Sequence, residues 1–452
     1  MYYPHTEAER KAMLDTIGVG KMEDLFLDVP KKQRFPRLNL PEALTEMEVS
    51  AEMQFMASAN ESTRDLACFL GAGAYNHFIP AAVSAITSRG EFLSAYTPYQ
   101  PEISQGTLQA IFEYQSLIAA LTGMEVSNAS HYDGATALAE AVNMAYANFR
   151  GKRTRIIFSP SLHPQYLETI RTYSDGSNVT LDGCDSAVDP LSGPGCLFDL
   201  IDNQTALVAV QYPDFFGRVF DYRELAEKTH QAGALFAVAV NPLALGLLTP
   251  PGQFGADIVT GEGQPLGIPL AYGGPYLGLF ATKAEYVRKM AGRLVGETVD
   301  NRGQRAYVLT LTAREQHIRR EKATSNICTN QGLMALSAAV YLSLLGKQGL
   351  RQVSELCYQK AHYAARQIAL LPGYSAEMDV PFFNEFVVHC PKPVGEINAH
   401  LLEHGILGGY DLGQAYPNHS NMNNAMLVAV TEMNTRDEID VLVETLAEVS
   451  ND

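Results

Sequence analysis

The sequence predicts an α/β fold in which helices cover both faces of a mostly parallel sheet. Short runs of Val, Ile, Leu and Ala without strict polar alternation recur through the middle of the chain, and helical patterns separate several of them. Strands buried on both faces have this composition, and parallel pairing needs helical crossovers. The predicted strands are residues 155–159, 179–181, 206–211, 234–240, 257–260 and 277–281.

Composition excludes several classes of function. The 452 residues are 46% hydrophobic, which is enough for a large core and for more than one domain. A net charge of −17 argues against nucleic acid or anionic membrane as a partner. The N-terminus lacks the pattern of a signal peptide, and the longest apolar stretch, residues 233–248, is interrupted by Asn241 and Pro242. We therefore expect a cytoplasmic protein.

The cysteines indicate free thiols in a reducing compartment. None of them forms a CxxC pair, so the sequence predicts neither a disulfide framework nor a metal site. The six positions are Cys68, Cys184, Cys196, Cys328, Cys357 and Cys390.

Three regions are expected along the chain. Residues 1–65 form a helical arm, in which Thr6 and Glu9 make a capping box for a helix ending near Gly18. Such an arm buries little of its own apolar surface, so we expect it either to wrap over another subunit or to pack on its own domain. Residues 66–330 form the large α/β domain, and residues 331–452 form linking helices and a small C-terminal α/β domain.

Two segments of the large domain have alternative interpretations. In Tyr96-Thr97-Pro98-Tyr99-Gln100-Pro101-Glu102, prolines stiffen a loop that either presents polar groups at fixed positions or is an ordinary surface turn. The Asp133-Gly134-Ala135-Thr136 sequence, at the start of a predicted helix, is either an anion seat or a helix cap made by Asp133.

The segment that follows the sheet is predicted to begin with a helix over residues 284–294 and a strand over residues 305–311. After these comes a basic segment, residues 314–326, with the sequence REQHIRREKATSN. Four cationic side chains and a histidine within nine residues predict an anion site, unless Glu315 and Glu321 merely balance a solvated helix face. These five are Arg314, His317, Arg319, Arg320 and Lys322.

The stretch GADIVTGEGQPLGIPLAYGGPYLG, residues 255–278, has the composition of a ligand-holding loop after a buried strand. It contains no lysine, and none occurs between Lys228 and Lys283.

Three longer motifs, YTPYQPEISQG, PLGIPLAYGGP and REQHIRREKATSNICTNQ, resemble glycine dehydrogenase (decarboxylating), the P-protein of the glycine cleavage system. The similarity covers nearly the whole chain and corresponds to subunit 1 of the split enzyme, the N-terminal half of the long single-chain form. It implies the aspartate aminotransferase-like architecture of fold-type I pyridoxal-phosphate enzymes. It also implies glycine decarboxylation, with transfer of the aminomethyl group to the lipoyl group of the H-protein.

The resemblance also locates what this chain lacks. A pyridoxal-phosphate enzyme needs a lysine to hold the coenzyme and an acid to keep its ring nitrogen protonated. Gln264 falls at the expected lysine position, and the strand over residues 234–240 contains no carboxylate. We therefore expect the coenzyme on a partner, subunit 2, in a heterodimer or a dimer of heterodimers. The residues expected to line the shared active site are Tyr96, Tyr99, Gln100, Arg314, His317, Arg319, Arg320 and Lys322.

Two alternatives remain at this point. The chain is a self-sufficient pyridoxal-phosphate enzyme that uses Lys322 or Lys283, or it is a scaffold that stabilises its partner and lines no site.

Overall fold

The computed structural model describes residues 4–185, 187–312, 316–327 and 329–451. The described chain divides into two compact units, residues 1–61 and 62–452. Fifteen strands and twelve α-helices, numbered below in chain order, are found in the described residues.

The first unit contains two capped helices. They are α1, Glu7–Ile17, and α2, Glu46–Ser58. Thr6 and Glu9 form the predicted capping box, and Gly18 ends α1 with a φ of 85°. The apolar positions of residues 41–60 predict a second helix over that whole range, and the observed helix α2 is shorter. Its capping box, made by Thr45 and Glu48, begins it only at Glu46. No described residue of this unit is buried.

A seven-stranded sheet organises the second unit, in the order β2-β8-β7-β6-β5-β3-β4. Pairing is parallel from β7 through β4, whereas β8 runs antiparallel to both of its neighbours. The predicted α/β architecture with a mostly parallel sheet is confirmed. The strands are β2 Val126–Ser127, β3 Arg155–Phe158, β4 Thr180–Asp182, β5 Thr205–Tyr212, β6 Leu235–Val240, β7 Ile258–Glu262 and β8 Gly278–Thr282.

Both faces of this sheet are covered, which explains why its strands do not alternate in polarity. Along β6, Leu235 and Ala237 belong to one apolar cluster, while Phe236 and Val238 belong to another. Residues that follow one another on a strand point to opposite faces, so a strand covered on both sides is apolar along most of its length rather than at every second residue. The helices of this region are α3 Ala81–Thr87, α4 Gln105–Thr122, α5 Gly134–Asn148, α6 Pro164–Ser174 and α7 Arg223–Gln231.

The C-terminal region is built on a four-stranded antiparallel sheet in the order β11-β12-β15-β14. The short strands β1 and β13 pair in parallel with each other. The strands are β1 Ala67–Cys68, β11 Ser375–Ala376, β12 Glu385–His389, β13 Ile406–Leu407, β14 Tyr410–Asp411 and β15 Ala425–Ala429. The remaining helices are α8 Gln316–Arg319, α9 Gly332–Ile368, α10 Val394–Glu403, α11 Leu412–Ala415 and α12 Arg436–Asn451.

The helix predicted over residues 284–294 is wrong. Only Ala284–Tyr286 form a short 3₁₀ turn, and Gly292 has a φ of 82°. The backbone here bonds to another segment instead: Ala291 O accepts from Asn128 Nδ2 at 3.0 Å, and Arg293 O accepts from Ala129 N at 2.9 Å. A hairpin follows, formed by β9, Val295–Val299, and β10, Arg305–Leu309. The second of these strands was predicted.

In the described part of the chain, helix α9 is long and apolar enough to cross a membrane by length and composition. Gly346, with φ 57° and ψ −173°, breaks it. The part before the break is too short to span ~30 Å of hydrocarbon at 1.5 Å per residue. Ala335, Ala338 and Tyr341 in that part belong to an apolar core cluster. We therefore interpret α9 as a core helix.

Candidate functional site

Gln264 occupies the expected lysine position just after β7, and its amide is fully engaged. The residue is 1% exposed. Its Oε1 accepts from Tyr75 N at 2.9 Å, and its Nε2 donates to Tyr75 O at 3.0 Å and to Ile268 O at 2.8 Å. An amide has both the donors and the acceptor that this backbone pocket requires, whereas a lysine ammonium offers donors alone.

Glu262, the last residue of β7, occupies the N-terminus of α5. Its carboxylate accepts hydrogen bonds from the backbone N–H groups of Gly134, Gln264 and Leu277, at 3.0, 2.9 and 3.0 Å. Burial raises the pKa of this carboxyl to about 7. Asp133 caps α5 by accepting from Thr136 N at 2.8 Å. Of the two interpretations of this turn, the helix cap is therefore the one observed. The Gly134 N–H, which an anion would need, donates to the Glu262 carboxylate instead.

Aromatic side chains fill the space next to this helix start. A Cβ at Gly134 would lie 2.2 Å from the Tyr166 hydroxyl oxygen. The ring of Tyr166 stacks on His163 with centroids 4.8 Å apart and an interplanar angle of 14°. Nε2 of His163 donates to Ala72 O at 2.9 Å, and burial lowers the pKa of the imidazole to about 4.

Neither alternative lysine is among the hydrogen-bond partners of the Gln264 side chain in the described residues. Lys283 forms an ion pair with Asp257, the residue before β7, and so it lies at the opposite end of that strand from Gln264. Lys322 belongs to the exposed 3₁₀ turn after α8. Strand β6, where the acid that protonates the coenzyme ring is expected, has the sequence LFAVAV and contains no carboxylate. The residues at this edge of the sheet therefore do not fit covalently bound pyridoxal phosphate.

A second buried carboxyl connects the pocket to the C-terminal sheet. Glu385, the first residue of β12, accepts from the Tyr75 hydroxyl and from Ala72 N, both at 2.7 Å. Burial raises the pKa of this carboxyl to about 7. Gly71 has to be a glycine here, because a Cβ would lie 2.6 Å from Glu385 Oε1. The loop that carries Tyr75 is thus held between Gln264 and Glu385.

The Tyr96–Glu102 loop combines buried anchors with exposed polar side chains. Thr97 is buried, and its hydroxyl lies 2.9 Å from that of Thr329. Arg293 Nη2 donates to the Tyr99 hydroxyl at 2.6 Å. Tyr96 and Gln100 are exposed, and the rings of Tyr96 and Tyr99 meet edge to face at 5.9 Å. The loop is therefore anchored at Thr97 and Tyr99, and both interpretations of it stay open.

The basic segment forms one wall of a cavity of about 690 Å³. Arg319, Arg320 and Lys322 bring three positive charges to it, and Arg288 brings a fourth from outside the segment. Arg320 has a φ of 52°, a strained conformation for a non-glycine residue and a common feature of functional sites. The lining residues are Arg288, Leu311, Ile318, Arg319, Arg320, Glu321 and Lys322.

A smaller cavity of about 160 Å³ shares two of these arginines. Arg288 and Arg319 line both cavities, and Arg293, the partner of Tyr99, lines the smaller one. Thr324 and Ser325, near the end of the basic segment, line the smaller cavity together with Ala147 of α5.

The structure therefore groups part of the predicted site. Arg319, Arg320 and Lys322 line the larger cavity, and Tyr99 accepts a hydrogen bond from Arg293, which lines the smaller one. His317 is exposed and is not among the lining residues, and neither are Tyr96 and Gln100. Arg314 lies outside the described residues.

Sequence reasoning missed several site residues. Glu262 and Glu385 each stand in an apolar run that forms a buried strand, and a lone carboxylate in such a run was the available signal. Arg288 was missed because its segment was predicted to be a helix.

Comparison with known proteins agrees with this architecture. Residues 1–446 match the family model described as "Glycine cleavage system P-protein". The chain is 54% identical over 450 residues to the "Probable glycine dehydrogenase (decarboxylating) subunit 1" of Thermomicrobium roseum, covering 100% of both chains. It is 52% identical over 453 residues to the protein of the same description from Desulforamulus reducens, covering 99% of this chain and 100% of the relative.

Solved structures give the same result. The crystal structure of glycine decarboxylase (P-protein) of the glycine cleavage system, in inhibitor-bound form, superposes with a TM-score of 0.89 at 43% identity, covering 99% of this chain and 100% of that one. A glutamate decarboxylase from Lactobacillus brevis shares the fold alone, with a TM-score of 0.68 at 14% identity over 92% of this chain and 95% of that one. The predicted fold type is thereby confirmed, and the chain belongs to the glycine cleavage system P-protein family.

Proposed function

We propose that this chain is the coenzyme-free subunit of a glycine-decarboxylating enzyme, and that it completes the active site of a lysine-bearing partner. Relatives over the full length are described as subunit 1 of glycine dehydrogenase (decarboxylating), which supports the existence of a second subunit. The partner we infer is subunit 2, in a heterodimer or a dimer of heterodimers.

The observation that carries this proposal is the buried amide of Gln264. It has three hydrogen bonds in the position where the coenzyme-binding lysine is expected. Glu262 and Tyr166 occupy the neighbouring helix start, which leaves no anion seat there for a phosphate group. Pyridoxal phosphate, which supplies the electron sink for loss of CO₂, accordingly belongs on the partner.

This chain contributes exposed polar and cationic groups to the shared site. The cavity lined by Arg288, Arg319, Arg320 and Lys322 suits an anionic group, such as the carboxylate of glycine or an acidic protein surface. The acidic surface we infer is that of the lipoyl-bearing H-protein, which receives the aminomethyl group. Tyr96, Tyr99, Gln100, Arg314 and His317 complete the proposed lining.

The N-terminal unit supports assembly with another subunit. Its helix α2 exposes large apolar side chains, which are costly to leave in water and are typical of interfaces. We infer that this arm wraps over a neighbouring subunit. The exposed apolar residues of α2 are Met47, Val49, Met53, Phe55 and Met56.

A cytoplasmic location is also part of the proposal. Five cysteines in the described residues are free thiols, as expected in a reducing compartment.

The decisive experiment measures exchange of labelled CO₂ into the carboxyl group of glycine, in the presence of lipoylated H-protein and pyridoxal phosphate. The chain alone should give no exchange, and addition of subunit 2 should restore it. Exchange by the isolated chain would contradict the proposal. If the isolated chain showed exchange and Lys322→Ala abolished it, the self-sufficient enzyme would replace the coenzyme-free subunit as the explanation.

A further inference from the structure

Two histidines and a glutamate converge on the surface of the C-terminal region. His400 lies in the last turn of α10, His404 follows that helix one turn later, and Glu448 projects from α12. One ligand atom from each of the three residues lies within 4.8 Å of the other two. Glu448 Oε2 is 3.3 Å from His400 Nε2 and 3.8 Å from His404 Nε2.

The imidazole of His404 is oriented for coordination. Its Nδ1 lies 2.9 Å from the carbonyl oxygen of His400, so the N–H is on Nδ1 and the lone pair is on Nε2. That lone pair is on the nitrogen nearer to Glu448. A backbone acceptor on the second ring nitrogen is the usual arrangement for histidines that bind metals.

The separations match a first-row transition metal. With metal–ligand distances of about 2.0–2.2 Å, neighbouring ligands of a tetrahedral ion are roughly 3.3–3.5 Å apart. The His400–Glu448 distance falls in this range, and the His404–Glu448 distance exceeds it by a few tenths of an ångström, which a rotation of an exposed side chain removes. We propose that His400, His404 and Glu448 form a binding site for a divalent transition metal such as Zn²⁺, with solvent in the remaining position.

A second grouping in the described residues does not fit a metal as well. His77, Cys357 and Glu432 also bring their ligand atoms together, but there His77 Nδ1 is only 2.7 Å from Glu432 Oε2. That distance is a hydrogen bond, shorter than the edge of a tetrahedral site. This cluster is also largely buried, whereas the surface site is open to entry of an ion.

The proposed metal joins α10 to α12, two segments that are far apart in the sequence. The unfolded chain does not hold these ligands together, so the ion binds the folded chain alone. It therefore stabilises the folded C-terminal region in proportion to its occupancy. The cysteine pattern gave no sign of this site, since its ligands are imidazole and carboxylate groups.

The test is titration of the tag-free, metal-stripped full-length chain with Zn²⁺ by calorimetry, and with Co²⁺ by visible absorption. The wild type should bind one equivalent at this site and show the d–d bands of a site with nitrogen ligands. His400→Ala and His404→Ala should each weaken binding at least about 10-fold, and Glu448→Gln should weaken it too. Added Zn²⁺ should raise the melting temperature of the wild type more than that of His404→Ala.

Two matched controls assign the binding. His389 pairs with Glu377 at 3.0 Å without a second imidazole, so His389→Ala should bind like the wild type. Cys357→Ser removes a thiol of the buried cluster and should also leave the affinity unchanged. The proposal is overturned if the wild type shows no saturable uptake, or if His404→Ala and Glu448→Gln both bind like the wild type. A loss of binding on Cys357→Ser instead would likewise overturn it.

Discussion

Replacement of Gln264 by leucine tests whether its buried amide supports the fold. Leucine has a similar volume but no polar atoms, so Gln264→Leu removes three hydrogen bonds. The Tyr75 N–H and the carbonyl groups of Tyr75 and Ile268 then lose their partners in a site that is 1% exposed. At ~1–3 kcal/mol for each of the three buried polar groups left unpaired, we expect a loss of ~3–9 kcal/mol in the free energy of unfolding. That is a large part of a typical stability of ~5–15 kcal/mol.

The assay is urea unfolding of the full-length chain followed by far-UV circular dichroism and by tyrosine fluorescence, since the sequence contains no tryptophan. Coincidence of the two transitions allows a free energy to be assigned. The matched control is Gln109→Leu, an exposed glutamine on α4, which should change stability by at most ~0.5 kcal/mol. If Gln264→Leu stays within ~1 kcal/mol of the wild type, the hydrogen bonds of this amide do not support the fold and the reasoning is refuted.

Three further predictions follow from the same structure. Because the pKa of Glu385 in the folded chain is raised to about 7, the free energy of unfolding should fall as pH rises from about 4.5 to about 7. Glu385→Gln cannot titrate, so its free energy of unfolding should fall by roughly 3 kcal/mol less over this range. Parallel curves of unfolding free energy against pH for the two proteins would refute this. Asp133→Ala removes the cap of α5 and should cost ~1 kcal/mol in urea unfolding, so an unchanged midpoint would contradict the cap. In the assembled enzyme, Tyr99→Phe and Arg320→Ala should each lower turnover by at least about 10-fold, because each removes a charge-assisted contact of ~1.4 kcal/mol or more. The control Arg351→Ala changes an exposed arginine and should leave turnover unchanged. Full turnover of both site variants with intact assembly would favour the scaffold interpretation.

The central sheet was predictable because its strands obey a simple rule. A strand covered on both faces is apolar along most of its length, and β6, with the sequence LFAVAV, shows this most clearly. The short strands β2 and β9 were not predicted, because two residues, or a run such as VGETV, carry too little periodicity to recognise.

The candidate site was predictable in composition and only partly in geometry. A lysine missing from a long stretch can be read directly, and so can a cluster of arginines. The contacts that fill the pocket cannot, since Tyr75 bonds to Glu385 and Gly134 bonds to Glu262, and the partners of each pair lie far apart along the chain. Arg288 also could not be predicted, because it lines the same cavity as the basic segment but lies outside that segment in the sequence.

The most direct test of the central claim is to locate the coenzyme in the assembled enzyme. The complex with subunit 2 is treated with borohydride in the presence of pyridoxal phosphate, and both chains are analysed by peptide mass spectrometry. The account predicts a reduced pyridoxyl group on a lysine of subunit 2, and unmodified Lys228, Lys283 and Lys322 in this chain. A pyridoxyl group on any lysine of this chain, at an amount comparable with active sites, would contradict it.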